Sequence, residues 1–354
     1  MDDLIYSKIF EFGNEFRDSE MANRFLSIPL SLLSNLRGKL RKHFINSAYF
    51  GLPGFVQIEI TTKCNLRCVH CERNKDSAKI TNSDMPLDLF KSIVSQLRYP
   101  TQGINLVGLG EPLLNPEIYP MIDFAKKKGF ETSLIDNFTL MDKEKSLALI
   151  NSGLDFLYVS FDSVSKSTFE ELRTGACFET VVENIKLFVN TKREAKAQKP
   201  DLLFKSTISQ NNVKEIPELI KLAEDLGANG INFGKLMSRD KASAPLCSIF
   251  LDEANLPKSK IAVYPCELSR SYECDALTGF YVSFDGRVLP CGLMAESASR
   301  AQYPQLQLGD LKVDRIAKIW QSKSYRQFRK NVKSGAYLDQ CETCPANKWL
   351  QQAK

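Results

Sequence analysis

The 354 residues are too many for one small module, and 47 Lys plus Arg against 42 Asp plus Glu leave a formal charge of only +5, no strong basic signature for nucleic acid. A hydrophobic content of 43% excludes an intrinsically disordered chain. Ten cysteines stand against two histidines, His43 and His70, which excludes a His-rich zinc or non-haem iron site and leaves the use of the thiols as the question.

The chain begins MDDLIYSKIFEF, acidic at once and without the charged n-region and apolar run of a signal peptide. No stretch reaches the roughly 18 to 20 apolar residues that span a bilayer. A cytoplasmic protein with reduced thiols is expected, in which clustered cysteines serve metal or catalysis instead of disulfides. Residues 1–52 read as a helical extension. Leu32, Leu33, Leu36, Leu40 and Phe44 recur at helical spacing beside Arg37, Lys39, Arg41 and Lys42, so residues 28–45 have the pattern of a basic amphipathic helix. Such a helix packs on a main domain with its basic face solvated, or makes peripheral contact with a membrane or partner.

Residues 53–240 change to short apolar runs separated by amphipathic stretches. Strands are predicted at Val56–Thr61, Ile104–Leu109, Glu131–Ile135, Phe156–Phe161, Leu203–Ile208 and Gly230–Gly234, and helices at Leu87–Leu97, Ile118–Lys128, Lys143–Ser152, Phe178–Lys192 and Ile216–Leu226. This alternation predicts an α/β fold with a mostly parallel sheet, because parallel neighbours need crossover connections. Functional loops of such a sheet lie at the carboxyl ends of its strands.

The first strand runs directly into Cys64, Cys68 and Cys71, spaced C-x3-C-x2-C on one loop. Thiolates are natural ligands of iron–sulfur clusters, and three of them leave one iron of a four-iron cluster open. A structural zinc site is the competing use, but it wants four closed ligands, and His70, adjacent to Cys71, closes a tetrahedron awkwardly. This motif, its strand-end position and the six-strand pattern resemble the radical S-adenosylmethionine (radical SAM) superfamily. The resemblance implies a partial (β/α)6 TIM-like barrel in which Cys64, Cys68 and Cys71 hold a [4Fe–4S] cluster and S-adenosylmethionine chelates its open iron. Reduction then cleaves the cofactor and releases a 5′-deoxyadenosyl radical, the cofactor carrying the hard chemistry.

The same resemblance assigns further cofactor-binding positions. His70 falls where the family often has an aromatic residue near the adenine. Gly108-Leu109-Gly110-Glu111-Pro112 resembles the Gly-Gly-Glu-Pro motif that contacts the methionine amino group, with Gly110 and Glu111 aligned and Leu109 interrupting the glycine pair. Asn137 lies where Thr-Asn-Gly approaches the ribose, although this chain reads Asp136-Asn137-Phe138. Ser160, beside Asp162, matches a cofactor contact. Arg173 resembles an arginine that pairs with the cofactor carboxylate, its competing use being a surface charge.

Residues 241–354 lose the alternation. Gly279–Phe284 and Gly286–Leu289 form a predicted hairpin turning at Asp285-Gly286, followed by a short helix around Ile316–Lys330. Cys274, Cys291, Cys341 and Cys344 are spaced C-x11-G-x4-C and C-x2-C, a closed set for an iron–sulfur cluster or a zinc. Following the first cluster, this pattern resembles the Twitch and SPASM extensions of radical SAM enzymes. No further cysteine follows Cys344, so Twitch, with one auxiliary [4Fe–4S] cluster, is the better match. Cys266 is a weaker candidate ligand than Cys274, and Cys177 and Cys247 read as ordinary buried thiols.

A closed auxiliary cluster suits electron transfer. The expected activity is therefore a radical SAM oxidoreductase that dehydrogenates a small hydroxylated metabolite. A peptide-modifying maturase is the alternative, and a Cys-rich zinc or nucleic-acid-binding protein the non-enzyme one. A flavodoxin or ferredoxin is the expected electron donor. Lys205, Lys235 and Tyr281 are candidates to face the substrate.

Overall fold

The computed structural model describes residues 52–75, 80–98, 101–236, 256–265, 274–297 and 302–336, together with Leu338, Cys341 and Cys344. The predicted basic helix at 28–45, Cys247 and Cys266 lie outside the described residues.

Alternating burial builds the core sheet. Its parallel strands are β1 (Phe55–Ile58), β2 (Gly103–Leu106), β3 (Glu131–Asp136), β4 (Phe156–Ser160), β5 (Asp201–Ile208) and β6 (Gly230–Lys235). In β1, Val56 and Ile58 are fully buried while Phe55 and Gln57 are half-buried, and the other core strands repeat the pattern. A period of two puts the aliphatic residues against helices and leaves a more polar inner face. That face carries Gln57, Asn105, Ser133, Tyr158, Lys205 and Asn232.

The crossovers are helical: α1 (Glu72–Lys75), α2 (Leu87–Ser95), α3 (Ile118–Lys127), α4 (Lys143–Asn151), α5 (Lys166–Leu172), α6 (Phe178–Glu194) and α7 (Ile216–Asp225). In α6, Val181, Ile185 and Phe188 recur at spacings of four and three and are buried, the stripe a helix needs to cover a sheet. Asp142 caps α4 by accepting a hydrogen bond from the Lys145 N–H at 2.8 Å. Such a cap contributes about 1 kcal/mol.

The strands then continue on both sides of this unit. β7 (Ala262–Tyr264) pairs with β6, and β8 (Gly279–Val282) pairs parallel with β1, Phe55 opposite Gly279 and Ile58 opposite Val282. The predicted hairpin is present as β8 and β9 (Arg287–Leu289), with Gly286 at φ +87° supplying the left-handed turn residue. β10 (Gly309–Asp310) completes the order β10-β9-β8-β1-β2-β3-β4-β5-β6-β7, an open sheet whose core is a partial (β/α)6 barrel.

Four short helices pack over the hairpin: α8 (Gly292–Ser297), α9 (Tyr303–Leu306), α10 (Ile316–Trp320) and α11 (Lys323–Ser334). The single helix expected at Ile316–Lys330 is broken, because Ser322 adopts an extended backbone and caps α11 through the Tyr325 N–H at 3.2 Å. Behind the break Arg329 is buried between the rings of Trp320 and Tyr325, 4.1 and 4.6 Å from their centroids, and its Nη2 donates to the Trp320 carbonyl at 2.7 Å. The Tyr325 hydroxyl donates towards the carbonyls of Gly279 and Pro290. These contacts tie α11 to the base of the hairpin. Among the described residues no helix is long and apolar enough to cross a membrane.

Candidate cluster and cofactor site

The carboxyl ends of β1 to β4 converge on the C-x3-C-x2-C loop, and each holds it by a different bond. Arg67 N–H donates to the Thr174 carbonyl at 2.9 Å and Val69 N–H to the Leu172 carbonyl at 3.0 Å. The Glu111 N–H, from the loop after β2, donates to the Lys63 carbonyl at 2.6 Å. Asn137, after β3, donates from Nδ2 to Asn65 Oδ1 at 2.9 Å. Within the loop, Asn74 Nδ2 and the Cys71 N–H both donate to the Cys68 carbonyl. Cys64 and Cys71 are half-buried, Cys68 is buried, and none of the three is disulfide-bonded. Burial pushes the Cys68 thiol up, while the Arg173 guanidinium opposes that shift.

The Gly-x-Gly-Glu-Pro stretch fits closely beneath this loop. A Cβ on Gly110 would collide with the carbonyl oxygens of Thr61 and Lys63, so no larger residue is accommodated without moving the thiol loop. Glu111 is buried, its Oε2 accepting from the Asn137 N–H at 2.9 Å and its Oε1 from the Leu113 N–H at 3.4 Å. Its carboxyl meets that of Asp136, at the end of β3. Burial first, then this pairing, raises Glu111 well above its ordinary value of 4.5, and burial raises Asp136 as well. Two carboxylates cannot donate to one another, and Asp136 Oδ2 has no other hydrogen-bond donor among the described residues. The pair is therefore satisfied by sharing one proton. It is complementary to an ammonium group, which would take that proton's place.

A raised carboxyl opposes folding at neutral pH. Its stabilising contribution is complete below the unfolded value near 4.5 and is lost as pH rises through the folded value. Glu111→Gln is expected to flatten this loss in thermal melts taken from pH 4.5 upward, because the amide is neutral throughout. A wild-type profile unchanged by the substitution would contradict proton sharing.

Phe138 explains the departure from Thr-Asn-Gly. Its φ is +59°, the left-handed conformation that the family's glycine would adopt without penalty. The ring is fully buried and meets Phe188 edge-on at 5.9 Å. Removing the ring costs about 3–5 kcal/mol, against relief of about 1–2 kcal/mol of left-handed strain. Phe138→Gly is thus expected to lower stability by about 1–4 kcal/mol in urea denaturation.

At the end of β4, Ser160 is buried and sits opposite Lys205 in the β5 register. Phe161 anchors the strand end against Phe169, Phe178 and Phe204, at 4.8 to 5.6 Å between centroids. Asp162 follows, fully buried, accepting from the Thr207 N–H at 2.7 Å through Oδ1. Its Oδ2 lies 2.7 Å from Arg173 Nη2 and 3.8 Å from His70 Nε2. The surface-charge reading of Arg173 is corrected: its side chain is 9% exposed.

The sequence reading missed Asp136, Asn65 and Glu59. Glu59 is fully buried and accepts from the N–H groups of Leu109 at 3.2 Å and Phe284 at 3.3 Å. It clamps β1 to the loop after β2 and to the hairpin turn. Asp136 and Glu59 each end an apolar strand, a position where an acid needs a dedicated partner, and that signal was readable. Cys177 is a second correction: it caps α6, is exposed, and donates to Glu179 Oε2 at 3.5 Å.

The auxiliary thiols come together at the other end of the hairpin. Cys274 precedes β8 and Cys291 follows β9, and both pack with Cys341 against the same cluster of side chains. Burial and the neighbouring Cys344 and Cys341 push Cys274 up to about 12. Cys291 rises well above its ordinary value, from burial and then Cys274, and Cys341 reaches about 11, from burial and then Cys344. Four thiols this close and this dry hold little negative charge unless a cation joins them, the chemistry of an all-thiolate metal centre. Both thiol sets also share one frame. Cys71 immediately precedes α1, Cys291 immediately precedes α8, and α1 and α8 touch.

Of the substrate-facing candidates, Lys205 lies on the inner face with Nζ 3.0 Å from Asn232 Oδ1, and Lys235 ends β6. Tyr281 is fully buried among Ala276, Leu289 and Met294, so the expectation that it meets substrate is withdrawn.

Comparison with known proteins agrees with this donor chemistry. Residues 58–196 match the radical SAM superfamily, and residues 274–345 match the SPASM iron-sulfur cluster-binding domain. The tungsten-containing aldehyde ferredoxin oxidoreductase cofactor-modifying protein of Pyrococcus furiosus is 24% identical over 315 residues, 82% of this chain and 86% of the relative. The PqqA peptide cyclase of Rhodopseudomonas palustris is 24% identical over 316 residues, 83% of this chain and 80% of the relative. Streptococcus suis SuiB, solved with S-adenosylmethionine, shares the fold at a TM-score of 0.62 and 17% identity, over 97% of this chain and 82% of SuiB. A radical SAM domain binds S-adenosylmethionine and a [4Fe–4S] cluster, and a SPASM domain binds additional iron–sulfur clusters. With thiols at both places, the chain carries a radical SAM domain followed by a SPASM iron–sulfur cluster-binding domain.

Proposed function

We propose that the protein is an oxidoreductase that dehydrogenates a small hydroxylated metabolite, with the auxiliary cluster as electron acceptor. Bound at the open iron, S-adenosylmethionine supplies on one-electron reduction a carbon radical that takes a hydrogen atom from an unactivated C–H bond. The carbinol carbon loses that hydrogen atom, the hydroxyl oxygen then loses its proton, and one electron passes to the auxiliary cluster, leaving a carbonyl. Cys64, Cys68 and Cys71 hold the cleaving centre, with Gly110, Glu111 and Asp136 receiving the cofactor's ammonium and Asn137, Ser160 and His70 beside it. Cys274, Cys291, Cys341 and Cys344 hold the acceptor.

The observation that carries this reading is the shared frame of the two thiol sets, through the β1–β8 pairing and the α1–α8 contact, which suits electron transfer between fixed centres. The polar inner face, with Gln57, Asn105, Ser133 and Asn232, suits hydroxyl groups. A second reading, modification of a peptide, is favoured by the relatives: one is a PqqA peptide cyclase, and SuiB was solved with its precursor peptide SuiA.

Mass spectrometry of extracts from a deletion strain, compared with wild type, identifies the accumulated precursor. Incubating that precursor anaerobically with reconstituted protein, S-adenosylmethionine and an electron donor such as flavodoxin or ferredoxin is expected to give a product two hydrogens lighter. A peptide precursor would replace the metabolite reading with the second one.

A further inference from the structure

Arg173 is placed on the cleaving centre by backbone geometry. Arg67 and Val69 donate to the carbonyls of Thr174 and Leu172 at 2.9 and 3.0 Å, so Cys68 and Arg173 lie opposite one another in a short paired stretch. The arginine is 7% exposed. Its Nη2 is held at 2.7 Å by Asp162 Oδ2, and Asp162 is itself fixed by the Thr207 N–H and by Asn212 Nδ2 on its carbonyl, both at 2.7 Å. The guanidinium therefore has one anchored end. Its Nε–H is buried and has no hydrogen-bond partner among the described residues, a costly state for a donor stripped of water. His70 Nε2 lies 3.8 Å from the same Asp162 oxygen.

We infer that Arg173 is a positioning residue for the open-iron cluster, its Nε–H donating to sulfur on the Cys68 side and raising the cluster's reduction potential. The inference rests on Cys64, Cys68 and Cys71 being the cluster's ligands. Hydrogen bonds and positive charge at the sulfurs favour the more negative, reduced cluster, and this is a principal way proteins set such potentials. The Asp162 ion pair aligns this charge and keeps the side chain from turning to solvent. This role differs from pairing with the cofactor carboxylate, because it acts before the cofactor binds.

The test is a reductive titration of the full-length, anaerobically reconstituted protein without S-adenosylmethionine, followed by electron paramagnetic resonance. Arg173→Gln is expected to lower the reduced-to-oxidised ratio of the open-iron cluster about tenfold at fixed ambient potential, equal to about 59 mV for one electron. Arg173→Lys should recover part of the shift, and the auxiliary cluster in the same sample should titrate as in wild type. An unchanged ratio without cofactor, with only cofactor affinity reduced, overturns the inference and leaves Arg173 as a carboxylate partner. Loss of the cluster in both variants also overturns it, since Arg173 would then be needed for assembly. Neither readout involves substrate, so failure of the dehydrogenation reading leaves this test unaffected. Wild-type protein that assembles no open-iron cluster would remove the ligand assignment itself.

Discussion

Cys64→Ala is expected to bring 5′-deoxyadenosine formation below detection while sparing the auxiliary centre. Three thiolates are the minimum that seats a four-iron cluster with one iron open for a cofactor. The rest of the loop does not depend on this side chain, because its anchors run through the backbone of Lys63, Arg67 and Val69 and through the side chain of Asn65. The fold should persist, with iron falling from about eight atoms per chain to about four if one cluster of four is lost. Iron and acid-labile sulfide analysis, with chromatography of the nucleoside product, reads both numbers. Undiminished deoxyadenosine from a variant with half the iron would exclude Cys64 as a ligand.

Cys344→Ala is expected to have the opposite signature: continued cofactor cleavage with loss of the oxidised product. Cys344 belongs to a closed set, and burial first, then the neighbouring thiols, raises Cys274, Cys291 and Cys341, a cost that a shared cation would offset. Removing one opens the set and leaves the substrate radical without its acceptor, so the ratio of product to deoxyadenosine should collapse towards zero. Product formed at the wild-type ratio would show that the auxiliary centre is not the acceptor. The same thiol chemistry links assembly to folding: stripping both clusters anaerobically should lower the melting temperature.

Local periodicity made the barrel readable from its amino acids. Expected Glu131–Ile135 is Glu131–Asp136, expected Gly230–Gly234 is Gly230–Lys235, and the helices at 87, 118, 143, 178 and 216 start where the amphipathic pattern does. Strand and helix periods are written in consecutive residues. Both thiol sets were legible for a similar reason, since ligand spacing within a loop or hairpin is a local property.

Contacts between distant segments left no such trace. No nearby residue announces that β8 would pair with β1, more than 200 positions away in the chain, or that Glu59 would reach the hairpin turn. The Glu111–Asp136 proton and the Asp162–Arg173 ion pair exist only because strand ends from separate crossovers meet at one rim. Phe138 shows both levels at once. From the sequence alone it is a departure from a glycine motif; in the structure it keeps the left-handed backbone that glycine would take, stabilised by burial against Phe188. Residue type and spacing determined which chemistry this chain supports, because iron–sulfur ligation depends on thiols and their number. Tertiary packing decided how its charges are balanced, because that depends on which buried groups are brought together and cut off from water.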